Sequence, residues 1–264
     1  MKRPLLNFRH VVLWPGLLLG MASLLYCLTN GLFFPVILLW SLVSGLGIAV
    51  GFHRVYSHRT HALQPWLDNL ILFFGSIAGQ GSSITWTAVH RGYHHRSADQ
   101  PRDLHSPIHG VWHSFLGWYS HINESTINHK YAVDLLRRPN HVWVHKHYLE
   151  LHLGFVGLMF LLGGLTGLPF VPVYMSCLFL SILQDNLVNS LCHLRWLGYK
   201  NKDHTSPDNS VNVPIFGYLT WGQGWHSNHH ADPASFSFRK RWWEFDPSVL
   251  WLPLIKLGEQ RAPT

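Results

Sequence analysis

At 264 residues the chain has room for one compact unit, and nothing in its composition marks a second domain. Charged residues make up 12% of it, about half the roughly 25% of soluble domains, while 13 Trp and 15 Phe point to a surface that faces lipid; a mean hydropathy of +0.07 leaves a large polar fraction outside the bilayer. The net charge of +7 fits a basic rim against anionic headgroups and calls for no nucleic acid.

In chain order, the apolar stretches 11–28 and 32–52 come first. Each is long enough to cross a hydrocarbon core of about 30 Å at roughly 1.5 Å per residue. Trp14-Pro15-Gly16 interrupts the first, which lacks a small-residue cleavage site and runs at once into the second, so a cleaved signal peptide is disfavoured. Residues 67–78 (LDNLILFFGSIA), after Pro65-Trp66, are too few to span and predict an interfacial or re-entrant helix. A second apolar pair, 151–170 and 171–192, is joined by a tight Gly/Pro turn. The expected architecture is a single all-α integral membrane domain. It has four transmembrane helices in two hairpins and a helical cytoplasmic cap from 53–150 and 193–264.

The cations set the orientation. Lys2, Arg3 and Arg9 precede the first span, nine cations run from Arg54 to Lys146, and eight run from Arg195 to Arg261; the hairpins carry none. By the positive-inside rule both termini and the long middle segment are cytoplasmic in this multi-pass chain. Cys27, Cys177 and Cys192 lie in apolar runs without CxxC spacing and read as small buried hydrophobes.

The 21 histidines are the chemical signal. His53 and His58 form HRVYSH, His90, His94 and His95 form HRGYHH, and His226, His229 and His230 form HSNHH. His193 closes the fourth span, four residues after Asn189 in NSLCH. On a helix, positions i, i+3 and i+4 share a face, which predicts that His226, His229 and His230 converge on one point. His53 and His58, five apart, stand about 140° apart on an ideal helix and are expected to flank a centre or to mark an unwound turn. Neutral imidazoles without carboxylate or thiolate suit iron, copper or zinc, and nine exceed what one ion needs, so two metals are the natural count.

HRVYSHR, WTAVHRGYHH, NSLCH and GWHSNHH resemble, in order, the boxes of membrane fatty-acid desaturases, in particular the stearoyl-CoA desaturase-like branch. The similarity runs from about Val43 to His230 and includes VSGLGIAVGFHRVYSHRTH and the HSP at His105. It implies four spans with a cytosolic cap and two Fe ions held by the nine histidines. It also implies a water held by Asn189, and O2 as co-substrate for removing hydrogen from adjacent carbons of a long acyl chain. Breaking unactivated C–H bonds is work for a metal centre, so no catalytic side chain is expected beyond the ligands, and the protein positions the acyl chain. Imidazole orientation then depends on outer acceptors, for which Asp99, Asp103 and Asp232 are candidates.

The resemblance also suggests substrate contacts. Gln80 and Trp86 resemble residues that line the bend of the acyl tunnel, and Ser41 and Gly45 resemble positions that limit chain length; small residues there leave room for a long chain. Asp185, costly inside a span unless paired or functional, lies one turn before Asn189 and is a candidate substrate or outer-ligand contact.

Two departures stand out. HRGYHH has one residue more than the usual HxxHH; the extra residue falls at 91–93, where a π-bulge would restore the facing geometry. Basic residues that grip CoA phosphates in the acyl-CoA enzymes are replaced by Thr87-Ala88-Val89 and by Tyr119-Ser120-His121-Ile122, which raises carrier-protein and lipid-linked chains as candidates. No haem-domain motif is fused, so a separate electron donor is expected: a ferredoxin, a rubredoxin or a cytochrome. The rival readings are a fatty-chain hydroxylase, acetylenase or oxidative decarboxylase on the same scaffold, a metal transporter, or an adiponectin-receptor-like protein.

Overall fold

The computed structural model describes residues 12–121, 124–203, 205 and 207–260. Among these the chain is helical, and backbone pairing outside helices is limited to isolated bridges such as Tyr199 with Asn212. The principal helices are α1 (Trp14–Thr29), α2 (Phe33–Ser57), α3 (Pro65–Ser76) and a composite α4 built of Ser83–Val89, His90–His94 and His95–Ser97. They continue with α5 (Val133–Leu136), α6 (Pro139–Lys146), α7 (Tyr148–Thr166), α8 (Phe170–Leu191) and α9 (His226–Ala231), joined by shorter helical turns.

Among the described residues three helices are long and apolar enough to cross a membrane: α2, α7 and α8. Helix α1 has 16 residues, and Val11, where the first predicted span begins, lies outside the described residues, as do Lys2, Arg3 and Arg9. The short apolar run forms α3, begun by Pro65 in its first turn where a missing N–H costs nothing. The turn between α7 and α8 uses Gly167 at φ 72°, the left-handed conformation that ends a helix.

Close backbone approach sets the packing. A Cβ on Gly20 would lie 2.6 Å from the Met175 carbonyl, so the Gly16–Gly20 pair lets α1 press onto α8. A Cβ on Gly47 would lie 2.4 Å from Gly75 N, so α2 meets α3 backbone to backbone. The core fills the space between these helices with Ile48, Phe52, Ile71, Ile84, Leu178 and Ile182, all buried. Helix α7 leans out, with Tyr148 and His152 its buried residues.

The second span differs from its expected bounds of 32–52. It continues to Ser57 and is bonded i to i+5 from Ser41 onward, so His53 lies inside the helix and His58 caps it. The amide of His58 donates to the His53 carbonyl at 3.2 Å. An i-to-i+5 ladder narrows the angle between residues five apart, which brings the His53 and His58 rings to 5.1 Å. Helix α4 uses the same device. The π turn His90–His94 ends with the His95 amide bonded to the His90 carbonyl, which is the bulge expected at 91–93.

Candidate metal centre

Helix α4 starts on Ser82, whose hydroxyl accepts from Thr85 N at 3.3 Å and also meets His145 Nδ1 at 2.7 Å; Ser83 Oγ meets His141 Nδ1 at 2.9 Å. His145 and His141 are one turn apart on α6, so that helix grips the first turn of α4 and fixes where its histidines point.

The nine box histidines collect into two groups. His53, His58, His90, His95 and His229 form one, and His94, His193, His226 and His230 the other; within each, the donor nitrogens lie within 4.8 Å of one another. Neighbours on a helix point about 100° apart. Each His-His doublet is therefore divided: His95 and His229 serve the group of five, His94 and His230 the group of four. The expectation that His226, His229 and His230 converge on one point is corrected by that division. His226 and His230, four apart, share a group, and His229 turns to the other.

The Nε2 atoms face inward. In the group of five, His53 to His229 is 2.9 Å, His95 to His229 2.8 Å and His58 to His90 2.9 Å. In the group of four, His193 to His226 is 2.9 Å, and His230 is 3.1 Å from both His226 and His94. Adjacent donors on an octahedron with metal–nitrogen bonds of about 2.0–2.1 Å stand about 2.8–3.0 Å apart, so the spacing suits metal-bound imidazoles.

Protonation fits as well. Burial, reinforced by neighbouring imidazoles, lowers His58 to about 3 and pushes His90, His95, His226 and His229 well below the ordinary 6.5. Burial takes His230 to about 4 even though Asp208 pulls the other way. Neutral imidazole is the form that binds a metal. His94 departs from this pattern: burial opposes its charge, but the Asp103 carboxylate outweighs it and raises the pKa.

Three carboxylates back the group of four. Asp103 Oδ2 is 3.1 Å from His94 Nδ1, Asp99 Oδ2 2.9 Å from His193 Nδ1, and Asp208 Oδ2 3.2 Å from His230 Nδ1. An ionised carboxylate only accepts, so each Nδ1 carries a hydrogen, and in the neutral ring Nε2 is then the nitrogen left to face the cluster with a lone pair. Asp99 and Asp103 stand where the sequence reading puts them. Asp232 does not; it pairs with Lys240 at 2.8 Å on an exposed face. Asp208, 22 residues before His230, takes that place, and no periodicity links the two. In the group of five, His53 Nδ1 and His229 Nδ1 have no hydrogen-bond partner among the described residues.

The remaining predicted site residues lie around this core. Asn189 donates from Nδ2 to Asp185 Oδ2 at 3.2 Å, one turn before His193. Gln80 donates to the Ser181 carbonyl (2.8 Å) and hydroxyl (3.1 Å) on α8 and accepts from Trp86 Nε1 at 3.1 Å. The Trp86 indole stacks on His90 with centroids 4.9 Å apart and lies 5.7 Å from the His53 ring. Gly45 abuts the indole of Trp221, at 2.9 Å from where its Cβ would be, and Ser41 donates to the Leu38 carbonyl.

The sequence model of the fatty acid desaturase family matches residues 29–247, which take in all of these side chains. The chain belongs to the fatty acid desaturase family. Such desaturases are oxidoreductases, and this one resembles curated members along most of its length. It is 35% identical over 222 residues to the sn-2 palmitoyl-lipid 9-desaturase of Nostoc sp. (strain 36), covering 82% of this chain and 74% of that one. It is 30% identical over 264 residues to the sn-1 stearoyl-lipid 9-desaturase of Anabaena variabilis, covering 97% and 92%. It is 33% identical over 230 residues to the acyl-CoA C20 Delta5-desaturase of Anemone leveillei, covering 84% and 69%.

Proposed function

We propose that this desaturase introduces a double bond into a lipid-linked long acyl chain at a pair of iron ions, with O2 as oxidant. The carrying observation is the sorting of nine buried, inward-facing histidines into a group of five and a group of four. The irons, when bound, supply the oxidising power that side chains lack. For each double bond, a –CH2–CH2– unit gives up two hydrogens, and one O2 with two further electrons and two protons becomes two waters. Those electrons come from a separate redox protein, a ferredoxin, rubredoxin or cytochrome.

The chain's own residues hold and orient. His53, His58, His90, His95 and His229 hold one ion. His94, His193, His226 and His230 hold the other, with Asn189 placing a water beside it. Asp99, Asp103 and Asp208 fix the imidazole tautomers. The Gln80–Trp86 pair, anchored on Ser181 and stacked on His90, places the acyl bend against the group of five. Asp185, through Asn189, adjoins the group of four. Ser41 and Gly45, with Trp221 against the latter, bound the far end of the acyl site.

Absence of the cations expected of a CoA site, together with the lipid-linked substrates named for two of the relatives above, favours a lipid-linked chain over acyl-CoA. The cation distribution supports a multi-pass chain with four spans, α1 included, and with both termini and the histidine centre cytoplasmic. Fatty-acid methyl-ester profiling of host lipids with and without expression tests the reaction. A new monounsaturated species in the lipid fraction is expected; an unchanged profile, or a hydroxylated product, contradicts it. The Asp103→Asn variant, which keeps the shape but weakens the acceptor on His94, is expected to bind metal about 10–100-fold less tightly, read by competition with a chelator.

A further inference from the structure

His58 and His90 come from different helices, yet their Nε2 atoms stand 2.9 Å apart. Each is followed by an arginine, and both arginines end on one carboxylate, that of Asp134 on α5. Arg59 Nε donates to Asp134 Oδ2 at 3.1 Å, while Arg91 donates to Oδ1 at 2.7 Å and to Oδ2 at 3.0 Å. Arg91 also donates to the carbonyls of Ser57 and Tyr56, which the end of α2 leaves without a helical partner, and to that of Tyr131. Arg91 lies inside the π turn that carries His90, so its guanidinium fastens the end of one π segment to the middle of the other. Arg59 sits at φ 56°, a left-handed conformation that a non-glycine residue adopts only when its surroundings hold it there. Next to Arg91, a Cβ on Gly92 would fall 1.9 Å from the Tyr131 ring, so the bulge is seated against the segment that leads into α5. Asp134 is partly exposed, at 29%, and belongs to none of the histidine groups. The two arginines hold its carboxyl well below the usual carboxylate range, so it stays ionised at neutral pH.

We infer that Asp134 is a positioning residue: through Arg59 and Arg91 it sets the register of His58 against His90 and so completes the five-histidine half of the centre. This rests on the two-metal reading, and the experiment separates the two. Wild type, Asp134→Asn and Asp134→Glu are purified, loaded with enriched iron, and compared by iron per chain, by Mössbauer spectrum, and by unfolding temperature with and without chelator. Wild type is expected to hold near two irons in two environments. In Asp134→Asn one environment is lost and iron falls to near one, whereas Asp134→Glu regains both. The chelated proteins unfold at similar temperatures, which a purely structural ion pair would not allow. The Arg59→Gln variant, altered at an exposed side chain, is expected to release iron to a chelator about tenfold faster than wild type. Two irons with an unchanged spectrum in Asp134→Asn, or equal release from Arg59→Gln and wild type, would overturn the inference. A wild type without two irons would overturn the metal reading, and this inference with it.

Discussion

Replacing His229 by alanine is expected to abolish desaturation, lowering the unsaturated product at least about 100-fold. The side chain is fully buried, and its Nε2 lies 2.9 Å from that of His53 and 2.8 Å from that of His95, so it is shared more closely than any other member of the group of five. Removing groups that merely orient a metal ligand costs 10–100-fold in affinity or activity, and losing the ligand itself costs more. The loss falls on one half of the centre, so iron per chain drops from near two towards one and does not vanish. His109→Ala is the matched control, since His109 is exposed and outside both groups. Methyl-ester profiles and iron content of the two variants check this together. Product retained in His229→Ala would remove the group of five from the mechanism.

The second large effect is on stability. Arg54 and Asp246 form an ion pair at 3.0 Å with both side chains fully buried. The guanidinium also donates to the Phe236 and Ala49 carbonyls and lies 3.8 Å from the centre of the Phe238 ring. Asp246 Oδ2 accepts from Phe238 N at 2.9 Å, and Oδ1 from Ser248 N at 2.9 Å. Arg54→Met would strand the Asp246 carboxylate in the interior, and breaking such a pair costs about 3–5 kcal/mol. The damage reaches the site, because Phe238 packs on His53 and His229 with ring centroids 5.5 and 4.4 Å away. Denaturation in detergent is expected to show this loss for Arg54→Met. The double variant Arg54→Met, Asp246→Asn should unfold less readily than the sum of the single changes predicts. Additive losses would mean that the two charges do not support one another.

Much of the candidate centre is legible in the chain because its histidines come in local boxes, and a box survives translation into a helix. His94 and His95, like His229 and His230, point to a metal site because they belong to boxes that recur beside span ends. What adjacency conceals is the direction of each ring: the 100° between neighbours sends one histidine of each doublet to each half of the centre. The five-residue spacing of His53 and His58 looks wrong on an α-helix and is resolved only by the i-to-i+5 ladder of Ser41–Ser57. The extra residue in HRGYHH, by contrast, is readable, because an insertion into a helix whose histidines must keep facing one way has few solutions besides a π turn. Contacts between distant segments leave no trace in spacing. Asp208 against His230, Asp134 against Arg59 and Arg91, and Arg54 against Asp246 across 192 residues are products of tertiary packing. Asp232, though next to the third box in sequence, faces Lys240 because α9 ends beside it and turns it outward.

Whether the nine histidines hold two irons is read from the metal content of the purified wild-type chain. Elemental analysis against protein concentration is predicted to give iron near two per chain, with little zinc or copper. Iron near one, or stoichiometric zinc in its place, would rule out a pair of irons.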